Sequence, residues 1–574
     1  MTSLTEEQYQ TKIRELEKEV KKLNLIIQKD SKTKYGLRWI DVPEAFEKDS
    51  ENKIPILEEA KDKAIKNDDG KPTHILIEGD NYHALKCLNY THKGKIDVIY
   101  IDPPYNTGSD GFTYKDKRFL SQFPDGTTIP KEHPLRHSTW LSFMSKRLEL
   151  AKNLLSEKGV IFISIDNNEM GQLKILCDDI LGENNFIGSI DWESKTKSQN
   201  TESAYQKLQP KCEYIFCYGS EGTKHKFNLI AIGQKAYDLS DKNGNYREHY
   251  LEVMNANGIR GRETMVFDIS DGVSTVSLPV GKQWKLGQDQ VAVFKSRNDL
   301  FIRDGKVVIK MRPDDERTEK TEPFWAFFDK TIGTAESAKK ELNNIVGDNH
   351  GFDTVKPTEM VKRLLFHSAN KSSTILDFFA GSGTTLHATM KLNAEDGGNR
   401  QCILVQQKEK ENNICQNITY ERNRRVMQGY TNPKGEKIEG LGNSLKYYRT
   451  AFVGENEAEY ATDKDKIILS QKAGCLLSMA ENTLEEYIST DRYQIFGDDK
   501  NSFTGIYFSA NADKISEFTA KLEQLRNLSS LNEINAYFFS SGDGTEFSDE
   551  FESRKNIKIK SIPEPILEVY RRLS

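Results

Sequence analysis

Four consecutive residues, Asp102, Pro103, Pro104 and Tyr105, follow directly on the apolar stretch IDVIYI. Apart from Asp97, that stretch is apolar on both faces, which predicts a strand covered on two sides, as in a parallel sheet. Asp102 would then lie at the carboxyl end of the strand, where open α/β sheets bind their ligands. The carboxylate and a carbonyl of the rigid proline pair could accept the two hydrogens of an exocyclic amine, while the tyrosine ring stacks on the base. Held in this way, the amine would turn its nitrogen lone pair toward a methyl donor.

A second segment that could bind a ligand is ILDFFAGSGTT, residues 375–385, in which an apolar strand runs into a glycine-rich turn and a helix. The glycines let the backbone approach a ligand closely, and the helix N-terminus offers free N–H groups. No GxxxxGK[ST] motif occurs in the chain, which argues against a triphosphate ligand and against an ATP-driven motor. The next strand, CILVQQKE, ends at Glu409, a candidate acceptor for ribose hydroxyls. The sequence therefore predicts a nucleoside cofactor without a triphosphate.

The composition narrows the possible classes of protein but does not identify a binding partner. The chain has 574 residues and a net charge of −6, but residues 451–574 hold 22 acidic and 14 basic side chains, so the first 450 residues carry about +2. Such a near-neutral body can still carry a basic groove. The seven cysteines include no CxxC pair, which argues against a zinc site and a disulfide framework. The polar N-terminus and the lack of an apolar run of about 18 residues predict a cytoplasmic protein without a membrane span.

The residue pattern changes several times along the chain, which indicates several segments. Residues 5–29 read as a helix with a three- and four-residue apolar spacing, which predicts either a short coiled-coil seam between two copies or an amphipathic helix lying on its own domain. A charged linker follows, and residues 74–101 read as a strand, helix, strand unit. Short polar and aromatic pieces between about 195 and 345 indicate an insertion. The residues of the apolar N-terminal seam are Ile13, Leu16, Val20, Leu23 and Ile27.

The two signatures together resemble those of S-adenosylmethionine-dependent DNA amino-methyltransferases, and their order along the chain resembles the β class. More specifically, the sequence is similar to the modification (Mod) subunit of type III restriction-modification systems from about residue 74 to 453, apart from the insertion. The motifs that carry this resemblance are IEGDN, IDPPYNTG, WLSFMSKRL, GVIFISIDNNE, ENNFI, VKPTEMVKRLL, DFFAGSGTT and TYERNRRVMQGY.

The resemblance implies an α/β fold. It consists of a doubly wound, Rossmann-like methyltransferase core with an inserted target-recognition domain, an N-terminal helix and a small α+β C-terminal domain. The expected limits are 1–69 for the N-terminal helix and linker, 70–194 for the catalytic half of the core, 195–345 for the recognition domain, 346–453 for the cofactor half and 454–574 for the C-terminal domain.

The resemblance also implies roles for individual residues. Asp102, Pro103, Pro104 and Tyr105 would hold the target adenine, extruded from the duplex. Asp80 would approach the adenine of S-adenosyl-L-methionine and Glu409 its ribose, and no metal is expected. The remaining residues expected at the cofactor are Lys356, Asp377, Phe379, Gly381, Ser382, Gly383 and Thr384.

The partners implied by the resemblance are double-stranded DNA, a second copy of the chain, and a separate restriction (Res) subunit, unless the enzyme is solitary. The expected activity is methylation of adenine N6 in a short asymmetric sequence. Two alternatives stay open, namely N4-cytosine methylation and a catalytically silent subunit that only reads DNA. The three arginines near residue 424 indicate either phosphate contacts or a charged helix face; they are Arg422, Arg424 and Arg425. Trp140 is expected in the core.

Overall fold

The computed structural model describes most of the chain between residues 54 and 560. The described residues are 39–42, 44, 54–107, 118, 121–122, 127–130, 133–197, 208–222, 225–256, 261–348, 350–407, 413–453, 463–498, 502–508, 515–528, 533–538 and 557–560. The N-terminal apolar seam and Glu409 lie outside these ranges. The chain divides into two compact units, one of residues 1–226 with 325–574 and the other of residues 227–324.

A ten-stranded sheet forms the centre of the first unit. The strands are β1 Ile54–Glu59, β2 Thr73–Glu78, β3 Ile96–Ile101, β4 Leu155–Ile165, β5 Phe186–Glu193, β6 Cys212–Gly219, β7 Phe327–Phe328, β8 Thr374–Asp377, β9 Gln401–Gln406 and β10 Ser444–Val453. Their spatial order is β1-β10-β2-β9-β8-β3-β4-β6-β5-β7, in which the six strands from β10 to β4 run parallel.

The parallel strands are buried on both faces, as their unbroken apolar runs predict. In β3, for example, Val98 and Tyr100 on one face and Ile99 and Ile101 on the other are at most 2 % exposed. Helices between the strands supply this cover. The α-helices of this unit between β2 and β10 are α1 Asn81–Thr91, α2 Ser138–Leu154, α3 Met170–Cys177, α4 Ala335–Val346, α5 Thr358–Ser368, α6 Thr384–Asp396 and α7 Glu421–Gln428. The predicted doubly wound α/β architecture is confirmed.

Strand β6 lies inside the range predicted for the recognition domain, yet it pairs antiparallel with β4 and β5 of the main sheet. The compact second unit occupies only residues 227–324 of that range. The limits of 195 and 345 for the recognition domain stay a prediction, because they describe the part of the chain that would read DNA and not a compact structural unit.

The second unit, residues 227–324, is built from short antiparallel strands around a small apolar cluster that includes Trp284, Phe294 and Ile309. Its helix is Gln288–Ser296, and its strands are Ile230–Gln234, Leu239–Asp241, Gly244–Tyr250, Val253–Asn255, Ile269–Ser270, Thr275–Val276, Lys282–Trp284, Leu300–Arg303, Lys306–Met311 and Glu319–Glu322. Buried Asp299 accepts two hydrogen bonds from Arg312, which ties the sheet to the segment after the helix.

The C-terminal part has a mixed five-stranded sheet. Helices Asp463–Ala480 and Ile515–Leu528 accompany the strands Glu485–Ser489, Tyr493–Gly497, Ser502–Tyr507, Glu533–Phe538 and Ile557–Lys560. Phe518 of the second helix packs on Tyr493 and Tyr507 of this sheet in an apolar cluster of its own. The residues described here therefore show the strands and helices expected of an α+β domain. Within the described part of the chain, no helix is both long and apolar enough to cross a membrane.

Candidate active site

The pairing of β3 with β8 brings the two sequence signatures together. Val98 lies opposite Ile375 and Ile99 opposite Leu376, so the segments that follow both strands leave the same edge of the sheet side by side. They line one cavity of about 610 Å³. The predicted site residues on its wall are Asp102, Pro103, Pro104, Tyr105, Lys356, Asp377, Phe379, Gly381, Ser382 and Thr384. The wall also includes Asn81, Trp192, Glu213, Phe352, Val355 and Gln406.

The Asp102 carboxylate is held by two donors. The Lys356 ammonium lies 2.8 Å from Oδ1 and 2.7 Å from Oδ2, and the Tyr105 hydroxyl donates to Oδ1 at 2.8 Å. Burial and the neighbouring carboxylates raise the pKa of Tyr105 well above its ordinary value, so its hydroxyl remains a donor. Because each carboxylate oxygen has two lone pairs, Oδ2 keeps one acceptor position for a further hydrogen-bond donor.

The two prolines have different hydrogen-bonding states. The buried Trp140 indole donates to the Pro104 carbonyl at 2.7 Å, so the residue expected as core also fixes the proline segment. Within the described part of the chain, no donor reaches the Pro103 carbonyl. Of the two carbonyls, that of Pro103 is therefore the one available to accept from a ligand.

The segment after Tyr105 is anchored by a buried acid. Asn106 has a φ of +57° and donates from its amide to Glu169 at 2.6 Å. The ring of His137 also lies 2.6 Å from the same Glu169 oxygen. The sequence motif IDNNE contains Glu169, but its role was not predicted, because the partners come from segments distant in sequence. This contact holds the chain where it leaves the proline pair.

Two carboxylates share the Lys356 ammonium. Glu213, on β6, has an oxygen 3.6 Å from Lys356 Nζ and 3.2 Å from the Tyr105 hydroxyl, whose single hydrogen it shares with Asp102 Oδ1. Burial lowers the pKa of Lys356, but Asp102 and Glu213 more than offset this and raise it above its ordinary value. Lys356 is predicted from its sequence motif as a residue near the cofactor, and the structure places its ammonium on Asp102. Glu213 was missed; the only signal was an acid within an otherwise apolar strand.

The glycine turn has the geometry that its sequence predicts. Gly381 and Gly383 have φ values of +50° and +75°, in the left-handed region that favours glycine. The Gly381 N–H donates to the side chain of Gln406 at 2.7 Å, and its carbonyl accepts from Thr419 at 2.6 Å. A Cβ on Gly381 would lie 3.3 Å from the Phe352 ring on the cavity wall. Gly383 supports the turn from outside the cavity, as the residue that precedes α6.

A buried arginine holds the hydroxyls of this turn. Arg422 donates to Ser382 at 3.0 Å, to Thr384 at 2.8 Å and to Thr358 at 2.9 Å. Its charge faces Glu341 at 3.5 Å. Arg422 is therefore a structural support of the turn and lies too deep to contact phosphate. A π-helical turn, Cys415–Tyr420, leads into α7 and brings this side chain and Thr419 to the turn.

Asp377 is buried at the end of β8, where it accepts from Thr385 and from the Phe379 N–H. Burial raises the pKa of Asp377 to about 7, although these two hydrogen bonds favour the ionised form. The carboxyl is therefore poised to change its charge near neutral pH, and a cation in the cavity would favour ionisation.

Asp80 has a different environment from the rest of the predicted set. It caps α1 by accepting from the Tyr82 N–H at 2.8 Å, and its other oxygen lies 3.5 Å from the buried Arg147. The cavity wall is formed instead by its neighbour Asn81, whose amide donates to the Phe378 carbonyl at 2.9 Å. The contact of Asp80 with a cofactor stays a prediction, as does that of Glu409. Among the described residues, no group of three or more His, Cys, Asp or Glu side chains could hold a metal ion.

A doubly wound sheet with an acid, proline pair and tyrosine beside a glycine-rich turn defines the class of amino-methyltransferase cores. Residues 96–417 match the model of the N6 and N4 DNA methylase family, and the chain belongs to that family.

Curated relatives agree with this assignment. The chain is 34% identical over 360 residues to the type III restriction-modification enzyme StyLTI Mod subunit of Salmonella typhimurium, covering 58% of this chain and 53% of the relative. It is 31% identical over 347 residues to the type II methyltransferase M.KpnI of Klebsiella pneumoniae, covering 57% of this chain and 79% of the relative. The chain thus spans only about half the length of the StyLTI subunit.

A solved structure, the cytosine-N4-specific PvuII DNA methyltransferase, matches 62% of this chain and 96% of its own at 11% identity, with a TM-score of 0.31. Likeness at that score is too low to support an argument about individual residues.

Proposed function

We propose that the chain is a site-specific DNA methyltransferase that transfers a methyl group from S-adenosyl-L-methionine to N6 of adenine, as the modification subunit of a type III restriction-modification system. The observation that carries the proposal is the single cavity shared by the Asp102 segment and the glycine turn. Membership in the DNA methylase family and the similarity to a type III Mod subunit support it.

The residues around the glycine turn suit this cofactor. The volume of about 610 Å³ is within the range of about 300–1,000 Å³ that small-molecule sites have. Gly381 leaves a gap beside Phe352 that any Cβ would fill. The buried Asp377 carboxyl suits the ammonium of the methionine part, and Phe352 and Phe379 offer apolar surface. When bound there, the cofactor supplies an electrophilic methyl group, which needs no metal.

The chain's own residues would hold the target amine. Asp102 Oδ2 accepts one amine hydrogen at its remaining lone pair, and the Pro103 carbonyl accepts the other. With both hydrogens held, the nitrogen lone pair is directed out of the base plane toward the methyl group. The Tyr105 ring lies on the cavity wall, where a base extruded from the duplex can stack.

Adenine N6 and cytosine N4 need the same two acceptors, so cytosine methylation is the alternative within this class. A silent DNA-reading subunit is disfavoured because the acceptors and the glycine turn are both intact and adjacent. The test is the transfer of tritiated methyl to plasmid DNA from a host lacking this gene, followed by hydrolysis and chromatography of the nucleosides. N6-methyladenine supports the proposal, N4-methylcytosine selects the alternative, and no transfer by folded protein refutes the catalytic assignment.

The same proposal assigns the other parts of the chain. Residues 195–345 would read a short asymmetric sequence on double-stranded DNA, and residues 1–69 would contribute to a homodimer. Residues 454–574 would offer a surface to a Res subunit in the cytoplasm or make a secondary dimer contact. Exchanging 195–345 for the segment of a related enzyme should change the methylated sequence and not the chemistry. Light scattering on protein lacking residues 1–30 tests the dimer, because an unchanged mass would exclude the N-terminal seam as its contact.

A further inference from the structure

The charges around Asp102 do not cancel. In the ion-paired cluster on the cavity wall, Asp102 and Glu213 supply two carboxylates and Lys356 supplies one ammonium. Four other acidic or basic residues line the same cavity outside this cluster, namely Asp166, Lys195, Asp353 and Asp377. Lys356 is 8 % exposed, so the cluster is poorly screened by water. With both acids ionised, the cluster carries a net charge of −1.

Lys356 is shared unequally between the two acids. Its ammonium lies within 2.8 Å of both oxygens of Asp102 but 3.6 Å from Glu213, beyond hydrogen-bond distance. Among the described residues, the Glu213 side chain accepts only one hydrogen bond, the 3.2 Å contact from the neutral Tyr105 hydroxyl. Glu213 is therefore the acid that Lys356 neutralises less.

The reaction proposed above needs negative charge at this place. The amine nitrogen forms its bond to the methyl carbon while the carbon–sulfur bond breaks and its electron pair stays on sulfur. The nitrogen carries a positive charge until one N–H bond breaks, its electron pair stays on nitrogen, and the proton passes to water by way of the Asp102 carboxylate that accepts that hydrogen. An Asp102–Lys356 pair alone is neutral and stabilises this charge weakly, whereas a preorganised cluster with one excess negative charge stabilises it strongly.

We propose that Glu213 is a positioning residue for methyl transfer: it gives the Asp102 cluster its excess negative charge and holds the Tyr105 hydroxyl. This inference rests on the proposed function and assigns a role to a side chain outside the proline motif. Glu213 acts through Asp102 and Tyr105. A variant that keeps an acceptor oxygen for the Tyr105 hydroxyl therefore changes the charge of the cluster, and we expect its effect mainly on the rate of transfer.

The test compares Glu213→Gln, which keeps the shape and an acceptor oxygen, with Glu213→Asp, which keeps the charge. Single-turnover methyl transfer is measured with excess enzyme, tritiated S-adenosyl-L-methionine and unmodified plasmid DNA. We expect Glu213→Gln to lose about 10- to 100-fold in rate, with cofactor and DNA affinities within about threefold of wild type, and Glu213→Asp to recover a large part of the rate. Glu193→Gln is the matched control, because Glu193 pairs with Lys211, the residue before β6, and lies off the cavity wall.

A charge-compensated variant separates charge from packing. Glu213→Gln combined with Lys356→Met removes one charge of each sign and returns the cluster to −1. We expect this double variant to be faster than Glu213→Gln alone. A double variant whose loss is the product of the two single losses, or a Glu213→Gln rate within threefold of wild type, overturns the inference. Absence of transfer by the wild-type protein instead refutes the proposed function, so the two failures are distinct.

Discussion

Replacing Gly383 by alanine tests whether the glycine turn needs both its backbone conformation and its close packing. Gly383 has a φ of +75°, and a Cβ there would lie 2.3 Å from the amide nitrogen of Asn423. That nitrogen donates to the Thr419 carbonyl at 2.8 Å and to the Gly383 carbonyl at 3.2 Å. Because Asn423 is fully buried, it cannot move aside into solvent.

The expected cost has two parts. An alanine in the left-handed region costs about 1–2 kcal/mol. Displacing the Asn423 amide loses two hydrogen bonds, at about 0.5–1.5 kcal/mol each, which adds about 1–3 kcal/mol. Gly397→Ala is the control, since Gly397 has a φ of +67° and nothing within 4 Å of its Cβ position. Gly397→Ala should show the backbone cost alone.

The assay is calorimetry, used for both thermal unfolding and cofactor binding. Gly383→Ala should lower the melting temperature several degrees further than Gly397→Ala, at about 2–4 °C per kcal/mol for a domain of this core's size. It should also weaken S-adenosyl-L-methionine binding, while Gly397→Ala leaves the affinity within about twofold. Equal melting temperatures for the two variants would refute the packing argument. An unchanged cofactor affinity in Gly383→Ala would refute the assignment of the turn.

Three further predictions concern the cavity. Asp102→Ala should abolish methyl transfer while DNA affinity measured by gel shift stays near wild type, because affinity comes mainly from phosphate contacts; activity within a few-fold of wild type would contradict the mechanism. Tyr105→Ala should weaken capture of the extruded base by about 1–3 kcal/mol, and Tyr105→Phe should keep much of the activity; equal damage would assign the function to the hydroxyl instead of the ring. The folded-state pKa of Asp377 is raised to about 7 from an ordinary 3.8, so its protonated form is favoured on folding and that stabilisation is lost as the pH rises from about 4 through 7. A cationic cofactor prefers the ionised acid, so the cofactor affinity measured by calorimetry should fall as the pH drops below 7. Asp377→Asn should flatten this pH dependence. If the dependence persists in Asp377→Asn, the Asp377 carboxyl is not its source.

Local patterns in the sequence were sufficient to predict the core strands and helices and much of the candidate site. The apolar run before Asp102 predicts β3 because a strand buried on both faces is apolar throughout. The run of Ile375 and Leu376 followed by glycines predicts β8, a left-handed turn and α6 in the same way. Since ligands bind at the carboxyl ends of parallel strands, both motifs could be assigned to a site before their distance was known.

The partners of those motifs depend on the tertiary structure. Lys356 is separated from Asp102 by 254 residues, and Glu213 reaches Tyr105 only because β6 turns back antiparallel beside β4. The support of the turn by Arg422 likewise requires the π-helical segment before α7. Periodicity reports which face of an element is buried, but strand order and register decide which polar side chains meet in the low-dielectric interior. The sequence by itself therefore determined the acid and proline motif after β3 and the glycine turn, whereas only the fold decided which charged side chains surround them.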